Sequence, residues 1–230
     1  MKNTLTTLVL ALFGWMTLNA QTACSQYYPL VEGASMTYEN FNKKGKSDGT
    51  IAYQVTDVET GGTTESALMV MTISDKKGNT FNSEYNIRCE GDVVKIDFKS
   101  LMNEQMLSQF GEMDMDVSGT DIELPNNLEV GQELPDANMN IKVTMGGAMT
   151  MNMNVETINR KVEKMETVIT PAGTFECYVL YSDTKTKMMM GKQTFPSRTW
   201  LAKGVGMVKQ ETYNKSGKLM GSTVLSQYSS

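Results

Sequence analysis

Residues 138–155 read NMNIKVTMGGAMTMNMNV. Polar and apolar residues alternate over 138–145 and again over 149–155, the period-two signature of two half-buried strands. Gly146, Gly147 and Ala148 stand between them. A two-residue turn at Gly146-Gly147 would pair Met145 with Ala148 and Ile141 with Asn152, mixing apolar with polar. A three-residue connection instead pairs Met145 with Met149, Val143 with Met151, Ile141 with Met153 and Met139 with Val155, and the polar positions then match as well. Because a one-residue slip sends every side chain to the other face, the sequence predicts the odd-length connection. It also predicts an apolar hairpin face opposite a wet face of Asn, Lys and Thr.

That apolar face, Met139, Ile141, Val143, Met145, Met149, Met151 and Met153, is the candidate binding surface. Three readings stay open. The methionines are a core face, since Met fills irregular gaps and 18 of them follow residue 20. They line an adaptable groove for a lipid or other hydrophobic small molecule. Or their thioethers hold copper(I), which prefers soft sulfur ligands.

Outward from this hairpin, the turn signals repeat. Asn42-Lys43-Lys44-Gly45, Asp75-Lys76-Lys77-Gly78 and Asn214-Lys215-Ser216-Gly217 each open on Asn or Asp and place Gly three residues on, as in a type I turn closed by a left-handed residue. Strand-like runs flank them at 35–41 and 50–58, 66–74 and 80–89, 207–213 and 219–228. A further hairpin turns at Thr170-Pro171-Ala172-Gly173-Thr174, where Pro171 presets the first corner. Strands at this density imply a mainly β fold, a curved and largely antiparallel meander resembling a half-barrel. Residues 100–110 break the pattern: Met102, Met106 and Phe110 recur at helical spacing between a Ser100 cap and a Gly111 stop, which predicts one short amphipathic helix. The stretch 111–136, with Pro125, Gly131 and Pro135, is the expected crossover or lobe boundary of a single domain spanning 21–230.

Residues 1–20 carry one charge, Lys2, then an apolar run ending at Leu18-Asn19-Ala20, the pattern of a secretory signal cut after Ala20. The run is too short to span a membrane, and no other segment is a transmembrane candidate. The residues before Cys24, Gln21-Thr22-Ala23, lack the aliphatic position of a lipoprotein signal, so the expectation is soluble export to the periplasm or outer envelope. Loss of Lys2 with the signal takes the formal net charge from −5 to −6. No basic or arginine-rich run appears along the sequence, which argues against nucleic acid as a partner.

Three cysteines in an exported chain suggest one bridge and one free thiol. Cys24 and Cys89 are the expected pair, with Cys177 reduced on a strand face. The chain has no His. That removes nucleophilic triads and the usual zinc, copper(II) and iron ligand sets, leaving no catalytic residue, cofactor or conventional metal site to assign. Carboxylate-only hydrolysis survives, but no spacing singles out two acids. Trp200 serves as a core anchor or as a sugar-stacking ring. Gly204-Val205-Gly206 is followed by a strand rather than a helix, so it is not a phosphate cradle. The lysine-bearing hairpin tips read as soluble ends rather than anion contacts.

Three stretches resemble an exported bacterial family of unknown function: Tyr27-Tyr28-Pro29-Leu30 after Cys24, the Thr170-Pro171-Ala172-Gly173-Thr174-Phe175-Glu176-Cys177 turn, and Trp200-Leu201-Ala202-Lys203-Gly204-Val205-Gly206. The resemblance covers nearly the whole chain after the signal. It implies a curved antiparallel sheet similar to the half-barrels of periplasmic lipoprotein carriers, and supplies no site residues. Together these readings predict an exported, non-enzymatic protein that binds or carries a hydrophobic molecule on its Met-rich face. The alternative is an assembly partner that meets another envelope protein through its sheet edge or that same face.

Overall fold

A computed structural model describes residues 24–97, 114–145, 149–188 and 191–230. Within them the chain forms thirteen strands of one antiparallel sheet. The first four, β1 (Ser35–Asn42), β2 (Ser47–Gly61), β3 (Thr64–Asp75) and β4 (Thr80–Glu90), are a meander. β5 (Val93–Ile96) extends it. β6 (Asp114–Gly119) and β7 (Ile122–Pro125) are short. β8 (Ala137–Met145), β9 (Met149–Thr170), β10 (Gly173–Met188), β11 (Gly191–Ala202), β12 (Gly206–Tyr213) and β13 (Leu219–Ser229) form a second meander. Pairing of β1 with β13 fuses the two. The mainly β, curved antiparallel architecture expected from the turn spacing is the one observed. The helix expected over 100–110 and the signal at 1–20 lie outside the described residues.

The three Asx-Gly turns form as their sequences require. Asn42 Oδ1 accepts from the Lys44 amide (2.9 Å), Asp75 Oδ1 from Lys77 (2.8 Å) and Asn214 Oδ1 from Ser216 (3.0 Å). Gly45, Gly78 and Gly217 take positive φ of 69°, 86° and 74°, the left-handed exit that lets each strand reverse without a Cβ clash.

The core lies on one face of the sheet and draws on both meanders. Along β4, Ser83, Tyr85, Ile87 and Cys89 are buried while their neighbours are exposed. Their partners in register, Met71, Met69 and Ala67 on β3, then Tyr53 and Val55 on β2, continue that face. Tyr38, Tyr53 and Tyr85 stack edge to face across it at 5.6 and 6.1 Å. The segment 24–30 and residues Leu128 and Leu134 fill the concavity. A disulfide joins Cys24 to Cys89, and Cys177 is a buried free thiol.

The strand order decides the shape. β6 and β7 follow one another in the chain, with only Thr120 and Asp121 between them, yet they are the two ends of the sheet. Two residues of chain span at most about 11 Å. The sheet therefore curls until its ends meet, without closing into a barrel. Thr120 bonds to the β8 side, its amide donating to Asn138 O at 2.9 Å. Asp121 bonds to the β4 side, accepting from Arg88 at 2.7 Å. Consecutive residues thus draw the two ends together, and the stretch 111–136 contains the crossover.

Candidate functional site

β8 and β9 pair in the register that alternation predicts: Met145 with Met149, Val143 with Met151, Ile141 with Met153 and Met139 with Val155. The connecting residues 146–148 lie outside the described residues. Met139, Ile141 and Val143 are 6, 2 and 1 % exposed and pack with Val117 of β6 and half-buried Met151, Met153 and Val155. This cluster is separate from the main core. The structure thus brings Met139, Ile141, Val143, Met151 and Met153 together beside the β6 end of the sheet. It places the backbones of Met145 and Met149 at the hairpin's far end.

The seam has a fastening that sequence reading missed. Pro135, which has no N–H, interrupts the ladder that would otherwise run from β8 through Glu133, bridged to Lys161. Opposite, β9 bulges: Asn159 adopts φ 54°, and Ser182 on β10 has no partner on β9. Asn159 is held there by donating to Asp183 Oδ2 at 2.8 Å. The bulge turns buried Arg160 toward the β7 end, where its guanidinium donates to Glu123 O (2.9 Å) and to Pro135 O. Burial lowers its pKa, and the nearby Tyr28, Asp136 and Glu123 oppose that shift. Arg160→Ala removes both bonds but also relieves a buried charge. Unfolding in urea is expected to show a loss of about 2 kcal/mol. An unchanged midpoint would mean that Arg160 does not hold the seam.

Trp200, 5 % exposed, is a structural anchor. Its indole N–H donates to Glu166, and the Lys209 ammonium lies 4.5 Å over the ring, on the face a sugar would stack on. Beside it Arg198 grips Glu163 with two bonds, 2.6 and 3.2 Å. The Gly204-Val205-Gly206 stretch also has a structural reason. Gly206 has φ 88°, and a Cβ there would lie 3.2 Å from the Tyr28 ring.

Asp75, Glu90, Glu166 and Glu211 all sit below their ordinary pKa. Hydrogen bonds from Asn79, Lys95, Lys164 and Trp200 hold the first three, and donors from Lys209 and Tyr213 outweigh burial at Glu211. A glycosidase acid needs its pKa raised. Among the described residues no group of three His, Cys, Asp or Glu is placed to hold a metal ion.

The fold is shared with proteins of known structure. The model of the DUF3108-like family matches residues 31–225, most of the chain. The chain belongs to the DUF3108-like family. Its fold matches a crystal structure from Bacteroides fragilis, described as an exported protein with YmcC-like fold. That match has TM-score 0.72 and 19% identity, covering 90% of this chain and 100% of the other. A crystal structure described as a lipoprotein from Parabacteroides distasonis matches with TM-score 0.72 and 22% identity, covering 89% and 99%. No curated protein matches the chain. At these identities the likeness is one of fold, and it brings this DUF3108-like protein no site residues.

Proposed function

We propose that this protein is an exported, non-catalytic binding protein of the cell envelope that takes an apolar ligand, a lipid or other hydrophobic small molecule, on the methionine face of β8 and β9. The observation that carries this reading is the unclosed seam beside that face. Among the described residues β6 is hydrogen-bonded on one side only, to β8, and it contributes Val117 to the cover over Ile141. A short end strand opens more easily than one paired on both sides. Displacing β6 exposes flexible thioether side chains that repack around varied apolar shapes. Each 200 Å² of ligand surface taken from water would contribute about 5 kcal/mol. Export is supported by the signal-like residues 1–20, by the disulfide, and by the descriptions of the two structural relatives as an exported protein and a lipoprotein. The non-catalytic reading is supported by a chain without His and by the lowered pKa values of Asp75, Glu90, Glu166 and Glu211.

Native mass spectrometry of protein isolated from its own envelope is expected to reveal a bound apolar mass, and a fluorescent fatty acid is expected to bind. Met153→Lys, at a half-buried position, should weaken that probe about tenfold. Absence of both a bound mass and probe uptake would overturn the reading. The same one-sided β6 supports a second reading, addition of a strand from another envelope protein. Crosslinking from Ser118 that captures one defined partner, together with no apolar mass, would favour it.

A further inference from the structure

The polar side of the same hairpin borders a trough. In-register partners across β6, β8, β9, β10 and β11 share one face, and on it Ser118, Asn140, Asn154, Lys187 and Lys192 form a single row. Flanking rows add Lys142 and Asn152 on one side, Lys185 and Thr194 on the other. Lys215, from the turn between β12 and β13, reaches the same space. Together they wall a trough of about 870 Å³.

Its charge is unbalanced. Five lysines line it against two acids, Asp116 and Glu156, on a chain whose formal net charge is −5. Asp116 stands opposite Lys142 and Glu156 opposite Lys185 in register, which leaves Lys187, Lys192 and Lys215 without a facing acid. Among the described residues none of the five is in an ion pair. Lys187 and Lys192 are directly opposed across β10 and β11. Like charges in that relation destabilise a sheet. An anionic ligand between Lys187 and Lys192 would relieve that repulsion. Ammonium groups are point charges rather than forks, so they suit anionic groups spread along a ligand more than one clamped carboxylate. Between them lies a floor of amides: Asn154 donates to Asn140 Oδ1 at 2.7 Å, and Asn152 stands beside them. Side-chain amides offer both donors and acceptors to hydroxyl groups.

We infer that this trough binds a soluble anionic saccharide, an oligosaccharide bearing several carboxylates or phosphates. It uses lysines 142, 185, 187, 192 and 215 for the charges and the asparagine floor for the hydroxyls. Ile141 and Met153 border the trough between its polar rows, and the anion-binding inference does not depend on the apolar-ligand reading.

The test is calorimetric titration of the intact mature protein with a uronate hexasaccharide, with uncharged maltohexaose as control. The uronate should bind and maltohexaose should not. Tripolyphosphate should compete, and affinity should fall as salt rises from about 50 to about 300 mM. Replacing Lys185, Lys187 and Lys192 together by Gln should weaken binding about tenfold. The same charge change at Lys43, Lys44 and Lys46, on the β1–β2 tip, should leave it unchanged. Lys192→Glu, which gives Lys187 an opposite charge, should raise the melting temperature of the free protein while weakening binding. Equal losses from both triple variants, or no uronate binding at the lower salt, would overturn the proposal. So would binding to phosphatidylglycerol vesicles without binding to the soluble saccharide.

Discussion

Between pH 10 and pH 12 the folded protein is expected to lose most of its stability, because its core holds tyrosines that resist ionising. Burial pushes Tyr28 and Tyr53 up to about 12 and Tyr38 and Tyr85 well above the ordinary value of 10. Nearby tyrosines add to the shift, and at Tyr28 the Arg160 charge partly offsets it. In the unfolded chain each phenol ionises near 10. Above that pH the unfolded state binds fewer protons than the folded state, so stability falls as pH rises and continues to fall until the folded groups titrate. Two pKa units correspond to about 2.7 kcal/mol for each group. Tyr28 and Tyr53 alone therefore amount to about 5 kcal/mol, the lower end of a typical domain's total stability. Because the rings lie within about 6 Å of one another, ionising one disfavours the next, and the collapse should be cooperative. Far-ultraviolet circular dichroism and tyrosinate absorbance should change together on alkaline titration. Tyr53→Phe should move the transition to higher pH. Titration of all nine tyrosines near 10 with the sheet intact would refute this.

Tyr38, Tyr53 and Tyr85 also mark what sequence conveys and what it does not. Each sits in an alternating strand, so its side of the sheet is legible from period two alone. The same holds for the β8–β9 register, which follows from matching apolar to apolar over 138–155. The Asx-Gly turns are legible because their chemistry is local: an Asn42 or Asp75 oxygen reaches an amide two residues on. The seam was hidden because it depends on strands far apart in the order. Nothing in the run 114–125 says that β6 pairs with β8 while β7 pairs with β5. Arg160 likewise looks like one more strand residue until a bulge at Asn159 turns it toward Glu123. The one advance signal was Pro135, whose missing N–H must interrupt a ladder. The lysine trough was half legible. Alternation puts Lys142, Asn140 and Asn152 on one wet face, but the approach of Lys185, Lys187 and Lys192 needs the β9–β10–β11 register.

Opening the Cys24–Cys89 bridge is expected to cost about 4 kcal/mol, since it closes a loop of 65 residues and so restricts the unfolded chain. Its native role is equally specific. Cys89 is fully buried on β4, opposite Val94 of β5, and the bond lashes the segment around Cys24 over that end of the sheet. Other contacts hold the same segment. Buried Asn126 donates to Cys24 O at 2.6 Å and accepts from the Gln26 amide at 2.9 Å, and Gly204 donates to Gln26 O at 2.8 Å. Cys24→Ala should therefore fold to the same sheet but unfold at markedly lower urea concentration. Reductant should move wild type to the same midpoint and leave Cys24→Ala where it is. Cys177→Ala, at the buried free thiol, should still respond to reductant in full, because Cys177 takes no part in the bond. A reductant effect that persists in Cys24→Ala would place the stabilisation elsewhere. A loss of this size is a large share of a domain's stability, so the chain is suited to an oxidising compartment.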